Sequence, residues 1–249
     1  MSFLRTFLLL ALALHSLPAI ANAQNKPTTT EPGIVFLVEG IGGVDLMGKS
    51  AEVALRKAGL PHEVHHFNWT HGVGQFLRDL QDTQHILKKA DELAALIKDH
   101  RAKKPERPIY VVGRSGGTGL VLYALQKLPP GCVERVILLS PAVAPNFDLR
   151  PALSATRREI VSFHSHNDRL ILGLGTSQFG TIDRYYGNSA GLTGFTLPER
   201  IDEQDRAMYM RLIQVPFTPR MLREGVSTGS HLSTSLPWFL SSEVVPWLR

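Results

Sequence analysis

A serine becomes a useful nucleophile where the chain lifts its hydroxyl clear of its surroundings and a base stands ready for its proton. The stretch Gly113-Arg114-Ser115-Gly116-Gly117 has the residue types for this. It follows the apolar run Pro108-Ile109-Tyr110-Val111-Val112, which reads as a buried strand, and precedes Thr118 to Leu128, which reads as a helix. A strand that turns sharply into a helix strains the corner residue, and glycine on both sides removes side chains that would clash there. The helix N-terminus then lies beneath the hydroxyl, and the Gly116 N–H faces an oxygen that gains negative charge. Five letters alone could equally be a plain Gly-rich turn, but the strand before and the helix after argue against that. A dinucleotide-binding loop needs a glycine spacing found neither here nor in Gly40-Ile41-Gly42-Gly43, which weakens a nucleotide-dependent oxidoreductase reading.

The serine needs a histidine as base, and the histidine needs an acid to orient it. For a serine on such an elbow the chain order is serine, acid, histidine. Asp168, in Ser165-His166-Asn167-Asp168, follows the strand-like run Ile160 to Phe163 and so stands at the C-terminal edge of a sheet. His231, in Gly229-Ser230-His231-Leu232, precedes the last apolar segment. The competitors fit less well. Asp183, Asp202 and Asp205 fall in a later excursion, Asp148 reads as a helix cap, and His164 and His166 are too close to Asp168 along the chain. A second oxyanion donor is expected in the loop Glu39-Gly40-Ile41-Gly42-Gly43, from the backbone N–H of Ile41 or of Gly40. A Glu39 carboxylate pointing at the oxyanion would oppose it, so Glu39 is expected to turn away or to pair with a base such as Arg114. Trp69 and His71, in Asn68-Trp69-Thr70-His71-Gly72, are read together with Glu39 and Arg114 as pocket-lining residues.

The elements that must position these residues follow from periodicity. Ile34 to Val38 is apolar at every position, the pattern of a parallel strand buried on both faces. Helices are expected over Lys49–Ala58 and Asp82–Asp99, the second with Ile86, Ala90, Leu93 and Ile97 on one face. Strands are expected at His62–Phe67, Val136–Leu139 and Ile160–Phe163 as well. Strands alternating with helices predict an α/β fold with a doubly wound, mostly parallel sheet. Residues 172–215, rich in Gly, Ser and Thr and helical near 199–213, are expected to form a small cap-like insertion above the sheet. Pro237 to Leu248 is expected to be a closing helix with Trp238, Phe239, Val244, Val245 and Trp247 turned inward.

Residues 1–23 read as a secretory signal peptide. Arg5 precedes an apolar run, and Ala21-Asn22-Ala23 makes a small-x-small cleavage site. The run is too short for a comfortable membrane span of about 20 residues, so no span is expected after cleavage. Residues 24–32 read as a polar, disordered leader and 33–249 as one domain, exported to the periplasm or secreted. The formal net charge of +5 comes from scattered Lys and Arg without an aromatic-interleaved patch, and no nucleic-acid partner is expected. Cys132 is the only cysteine, which excludes an internal disulfide and a thiolate metal cluster. No metal or organic cofactor is required by these residues.

With elbow, acid and histidine in order, the chain from about Gly33 onward resembles the α/β-hydrolase superfamily. That resemblance implies Ser115 as nucleophile, His231 as general base and Asp168 as acid. It departs at the oxyanion loop, where many lipases and esterases carry His-Gly and this chain has Glu39-Gly40. The implied function is an exported serine hydrolase cleaving an ester or related acyl bond of a small-molecule or lipid-like substrate. The alternative is a non-catalytic, ligand-binding envelope protein of the same fold.

Overall fold

The structure, a computed structural model, describes residues 32–249. The stretch read as a signal peptide, and all but the last residue of the one read as a polar leader, lie outside the described residues. Six strands, β1 (Ile34–Val38), β2 (Glu63–Phe67), β3 (Ile109–Arg114), β4 (Arg135–Leu139), β5 (Ile160–His164) and β6 (Leu212–Pro216), form one sheet in the order β2-β1-β3-β4-β5-β6. Every pairing is parallel. The chain starts in β1, moves to β2 on one side, and then crosses to β3 on the other. This reversal opens a crevice beyond the C-terminal ends of β1 and β3, the place where open α/β sheets carry their ligands. In the β1–β3 register Val38 stands opposite Gly113, so Glu39 leaves the sheet beside Arg114.

The uniformly apolar strands are explained by two cores. Ile34, Phe36 and Val38 point to one face, covered by α3 (Thr83–Lys103) and α4 (Gly116–Leu125). Val35 and Leu37 point to the other, covered by α1 (Gly48–Lys57) and the C-terminal segment. Ile86, Leu93 and Ile97 of α3 are fully buried, each contributing on the order of 1.5–3 kcal/mol. Asp82 caps that helix by accepting the His85 N–H at 3.0 Å.

Three expectations need correction. Leu212–Pro216 is not part of an excursion but the edge strand β6, and the helix before it is shorter than expected, Glu203–Tyr209. β6 escapes notice because it is half-exposed and ends in proline, as an edge strand can. The C-terminal segment is not one α-helix: a single α turn at Pro237–Phe239 passes into a π turn and then a 3₁₀ turn. Phe239, Val244 and Val245 are buried as expected, whereas Trp238 is 51% exposed. Short helices at Phe76–Gln81 (α2) and Pro219–Arg223 were not foreseen, and the helix expected from the reading of Asp148 as a cap is the short Arg150–Ala155.

His62 joins the two ends of the domain. Its Nδ1 accepts the Gly33 N–H at 2.9 Å, and its Nε2 donates to the Leu248 carbonyl at 2.6 Å. This arrangement requires the neutral ring. Burial pushes its pKa below the ordinary imidazole value, and the Arg107 charge adds to this. The folded state therefore binds the proton less readily than the unfolded chain, so its stabilising contribution is complete above about pH 6.5 and fades as the pH falls through that value. The melting temperature is expected to drop between about pH 7.5 and 5, with a shallower drop in His62→Gln; equal slopes for the two proteins would refute this role.

Candidate active site

Ser115 stands between β3 and α4 with φ 51° and ψ −126°, a conformation that costs a non-glycine residue of order 1–3 kcal/mol. The corner is held from several sides. Ser115 N–H donates to the Leu139 carbonyl of β4 at 2.9 Å, and its own carbonyl accepts from the N–H of Thr118 at 3.0 Å and from the Thr118 hydroxyl. The glycines around it are required by contact. A Cβ on Gly117 would lie 2.2 Å from the Glu39 carbonyl oxygen and 2.6 Å from that of Val38, so the helix start and the β1 loop pack backbone to backbone.

The three residues read as nucleophile, base and acid come together from three loops. His231 Nε2 lies 2.9 Å from Ser115 Oγ, and His231 Nδ1 lies 2.7 Å from Asp168 Oδ2. All three are buried. With the Asp168 carboxylate accepting the Nδ1–H, Nε2 is left with the lone pair that accepts the serine hydroxyl proton. Asp168 lies in a turn directly after β5, closed by its N–H to the Ser165 carbonyl at 3.1 Å. His231 lies in a Ser/Thr-rich loop that ties itself together through the Ser227–Ser233 hydroxyl pair at 2.8 Å and the Gly229 N–H to Ser227 Oγ at 3.0 Å. The competing acids are used elsewhere: Asp183 accepts the Ala144 N–H, Asp202 caps the Glu203–Tyr209 helix, and Asp205 pairs with Arg150.

The oxyanion loop differs in one respect from the reading of the sequence. Gly40 approaches the nucleophile closely enough that a Cβ there would sit 3.1 Å from Ser115 Cβ, but its N–H donates to Glu39 Oε2 at 3.0 Å and is spent. Ile41 covers Gly116, its Cγ2 lying 2.7 Å from where a Gly116 Cβ would be. Glu39 turns away from the crevice and pairs with Arg114 Nε at 3.0 Å, while its other oxygen takes the Met47 N–H. Its negative charge is thereby satisfied within the loop.

The four residues read as pocket-lining are mostly structural supports. Arg114 is buried against Glu39. Trp69 is buried and donates its indole N–H to the Glu39 carbonyl at 2.8 Å, and His71 is bound to Asp79 at 2.9 Å. Glu39 and Trp69 do border a cavity of about 200 Å³, which opens on the α1 side among Val44, Asp45 and His66 and does not include Ser115. Asp79, a fully buried carboxylate, was missed. In Phe76-Leu77-Arg78-Asp79-Leu80-Gln81 nothing separates it from an ordinary solvated acid, because its burial depends on contacts far along the chain. Among the described residues no cluster of His, Cys, Asp or Glu has the arrangement of a metal site, and no helix is long and apolar enough to cross a membrane.

A parallel six-stranded sheet with a serine on the β3–α4 elbow defines the α/β-hydrolase fold. The chain's residues 32–194 match the family model described as serine aminopeptidase, S33, and the chain belongs to that family of serine hydrolases. The match ends before His231. No curated protein sequence matches the chain significantly. Among solved structures, a lipase-esterase related protein from Clostridium acetobutylicum aligns with TM-score 0.50 and 13% identity over 88% of this chain and 96% of that one, which supports the fold. A CIB-like hydrolase from Thermoplasma acidophilum aligns with TM-score 0.44 and 14% identity over 90% and 89% of the two chains. A cutinase from Trichoderma reesei aligns with TM-score 0.43 and 13% identity over 88% and 77%.

The Gly117 contacts with backbone oxygens leave no room for relaxation. Gly117→Ala is expected to cost about 1–3 kcal/mol, read as a lowered denaturation midpoint in urea; a wild-type midpoint would show that the elbow and the β1 loop can separate freely.

Proposed function

We propose that this protein is an exported carboxylic-ester hydrolase acting through Ser115, His231 and Asp168. The unbroken hydrogen-bonded chain from Ser115 Oγ through the His231 ring to Asp168 carries the reading. Ser115 Oγ attacks the acyl carbonyl as His231 Nε2 takes its proton, and Asp168 stabilises the imidazolium. The carbonyl oxygen, now negative, rests on the N–H groups of Ile41 and Gly116. His231 returns the proton to the departing alkoxide, leaving an acyl-enzyme. A water deprotonated by His231 then releases the acid and restores Ser115.

Esters with apolar acyl groups suit the surroundings. Phe76 and Leu77 of α2, Leu170 and Leu174 after Asp168, and Leu232 after His231 are all large apolar side chains at least half exposed, carried on segments that follow β2, β5 and β6. Exposed apolar groups gathered on one end of a molecule mark a binding surface. An aminopeptidase reading would ask for a free carboxylate to hold a substrate ammonium. Glu39, the acid paired with Arg114 of the elbow, is already taken by that guanidinium and two backbone amides, so esters are preferred over aminoacyl amides.

The test is fluorophosphonate labelling of protein expressed with its leader and read by intact mass. One phosphonyl adduct is expected on a chain that starts at Gln24, with labelling abolished in Ser115→Ala, reduced by at least about 10³-fold in His231→Ala, and weakened in Asp168→Asn. A folded wild type that does not label would sink the hydrolase reading in favour of a ligand-binding role, and a retained residue 1 would sink export. On a series of nitrophenyl esters, kcat/KM is expected to rise from two-carbon to about eight-carbon acyl groups, and Leu174→Ser should lose the gain on the long ones alone. Faster cleavage of aminoacyl amides than of any ester would decide for the peptidase.

A further inference from the structure

Asp79 is a carboxylate with none of its surface exposed and no Lys or Arg against it. Burying such a charge is costly unless hydrogen bonds replace its water. Three donors do so: the Gly42 N–H on Oδ2 at 2.7 Å, and on Oδ1 the His71 backbone N–H at 2.7 Å and the His71 ring Nδ1 at 2.9 Å. The His71 ring stacks on that of His85 with centroids 4.0 Å apart, and its Nε2 lies 3.4 Å from Asp82 Oδ2. His85 Nε2 donates to the Trp69 carbonyl at 2.6 Å, and Trp69 Nε1 donates to the Glu39 carbonyl at 2.8 Å. The circuit leaves the oxyanion loop at Gly42 and returns to it at Glu39.

This places a constraint on three successive peptide units. The Glu39–Gly40 unit is held at its oxygen by Trp69 and at its N–H by the Glu39 carboxylate. The Ile41–Gly42 unit is held at its N–H by Asp79. Between them lies the Gly40–Ile41 unit, whose N–H is the donor assigned to the oxyanion. With both neighbours fixed, the rotations of Gly40 and Ile41 must close a short span between two anchored planes, so the direction of the Ile41 N–H is set in advance. An oxyanion donor is effective when it does not have to reorient during the reaction.

We propose that Asp79 is a positioning residue for the oxyanion hole, fixing the Ile41 amide through Gly42, with Trp69 as the opposite anchor; this rests on the esterase reading above. The carboxylate touches no reacting atom. It acts by denying the loop the freedom a glycine-rich segment would otherwise have.

The experiment compares the full chain as wild type, Asp79→Asn and Trp69→Phe on a nitrophenyl ester and on its thionoester, with labelling rate and melting temperature alongside. The asparagine side chain sets an NH₂ against one of the three N–H donors and loosens Gly42. We expect kcat to fall about ten- to a hundredfold with KM within about twofold, less than the about 10²–10³-fold lost when a donor is removed outright. A sulfur anion accepts hydrogen bonds more weakly than an oxygen anion, so the preference for the ester over the thionoester is expected to narrow. General destabilisation would leave that ratio unchanged. Trp69→Phe keeps an aromatic ring but loses the N–H and part of the indole's volume, and should move kcat and the ratio the same way by a smaller factor. A folded Asp79→Asn with wild-type kcat and ratio overturns the proposal, and if that variant does not fold, an unchanged ratio in Trp69→Phe overturns it. A wild type that neither labels nor cleaves any ester fails at the earlier step and removes both readings together.

Discussion

The corner at Ser115 is the constraint on which the site depends. A serine with φ 51° stands in a conformation that L-residues seldom hold, and left to itself the chain would relax toward ordinary helical or extended angles. Relaxation is blocked because the residue is bonded at both ends, its N–H to Leu139 on β4 and its carbonyl to the first turn of α4. The sheet, closely packed on both faces, offsets that strain. In turn the corner raises Oγ to the level where His231, arriving from a loop more than a hundred residues later, meets it.

The same corner determines what lies beside it. The loop after β1 presses its backbone against Gly117 and Gly40 against Ser115, contacts that any side chain at those glycines would disturb. Close approach brings the Ile41 side chain over Gly116, and it also brings the Glu39 carboxylate beside Arg114 of the elbow. Arg114 and two amides take up that charge. Acids at the crevice edge are thus managed by supplying each with donors. Glu39 has Arg114, Asp168 has His231, and Asp79 has the amides of two loops and an imidazole. Donors placed in this way offset much of the cost of taking a carboxylate out of water.

What could be read in advance follows from the range of the physics involved. Strand β3, the elbow and α4 are contiguous, and their pattern of apolar run, glycine, serine, glycine and apolar helix is decided by forces acting within a few residues. Asp168 and His231 were legible because order along the chain combined with position at strand ends leaves few candidates. The edge strand β6 was not, since Leu212-Ile213-Gln214-Val215-Pro216 is half-exposed and carries neither the uniform apolar run of an inner strand nor a strict alternation. The closing segment misled for a related reason. Its apolar residues suit a helix, but Pro246 breaks the ladder, and the chain packs through tighter and looser turns that leave Trp238 outward.

The amino-acid sequence by itself determined the parallel core and pointed to Ser115, Asp168 and His231 as the side chains that meet at the elbow, because each rests on local periodicity or on chain order. Only the tertiary structure decided that the Gly40 N–H is taken up, since it goes to a side chain whose direction depends on Arg114, 75 residues away. It alone decided as well that Trp69 and His71 are tied into the hydrogen bonds of the loop, Trp69 while also bordering the cavity on the α1 side, and that Asp79 is buried. Those outcomes depend on hydrogen bonds between segments that are distant in the chain and become neighbours when β1, β2 and β3 align. No residue type at any one position announces such a bond until the sheet has brought its partner there.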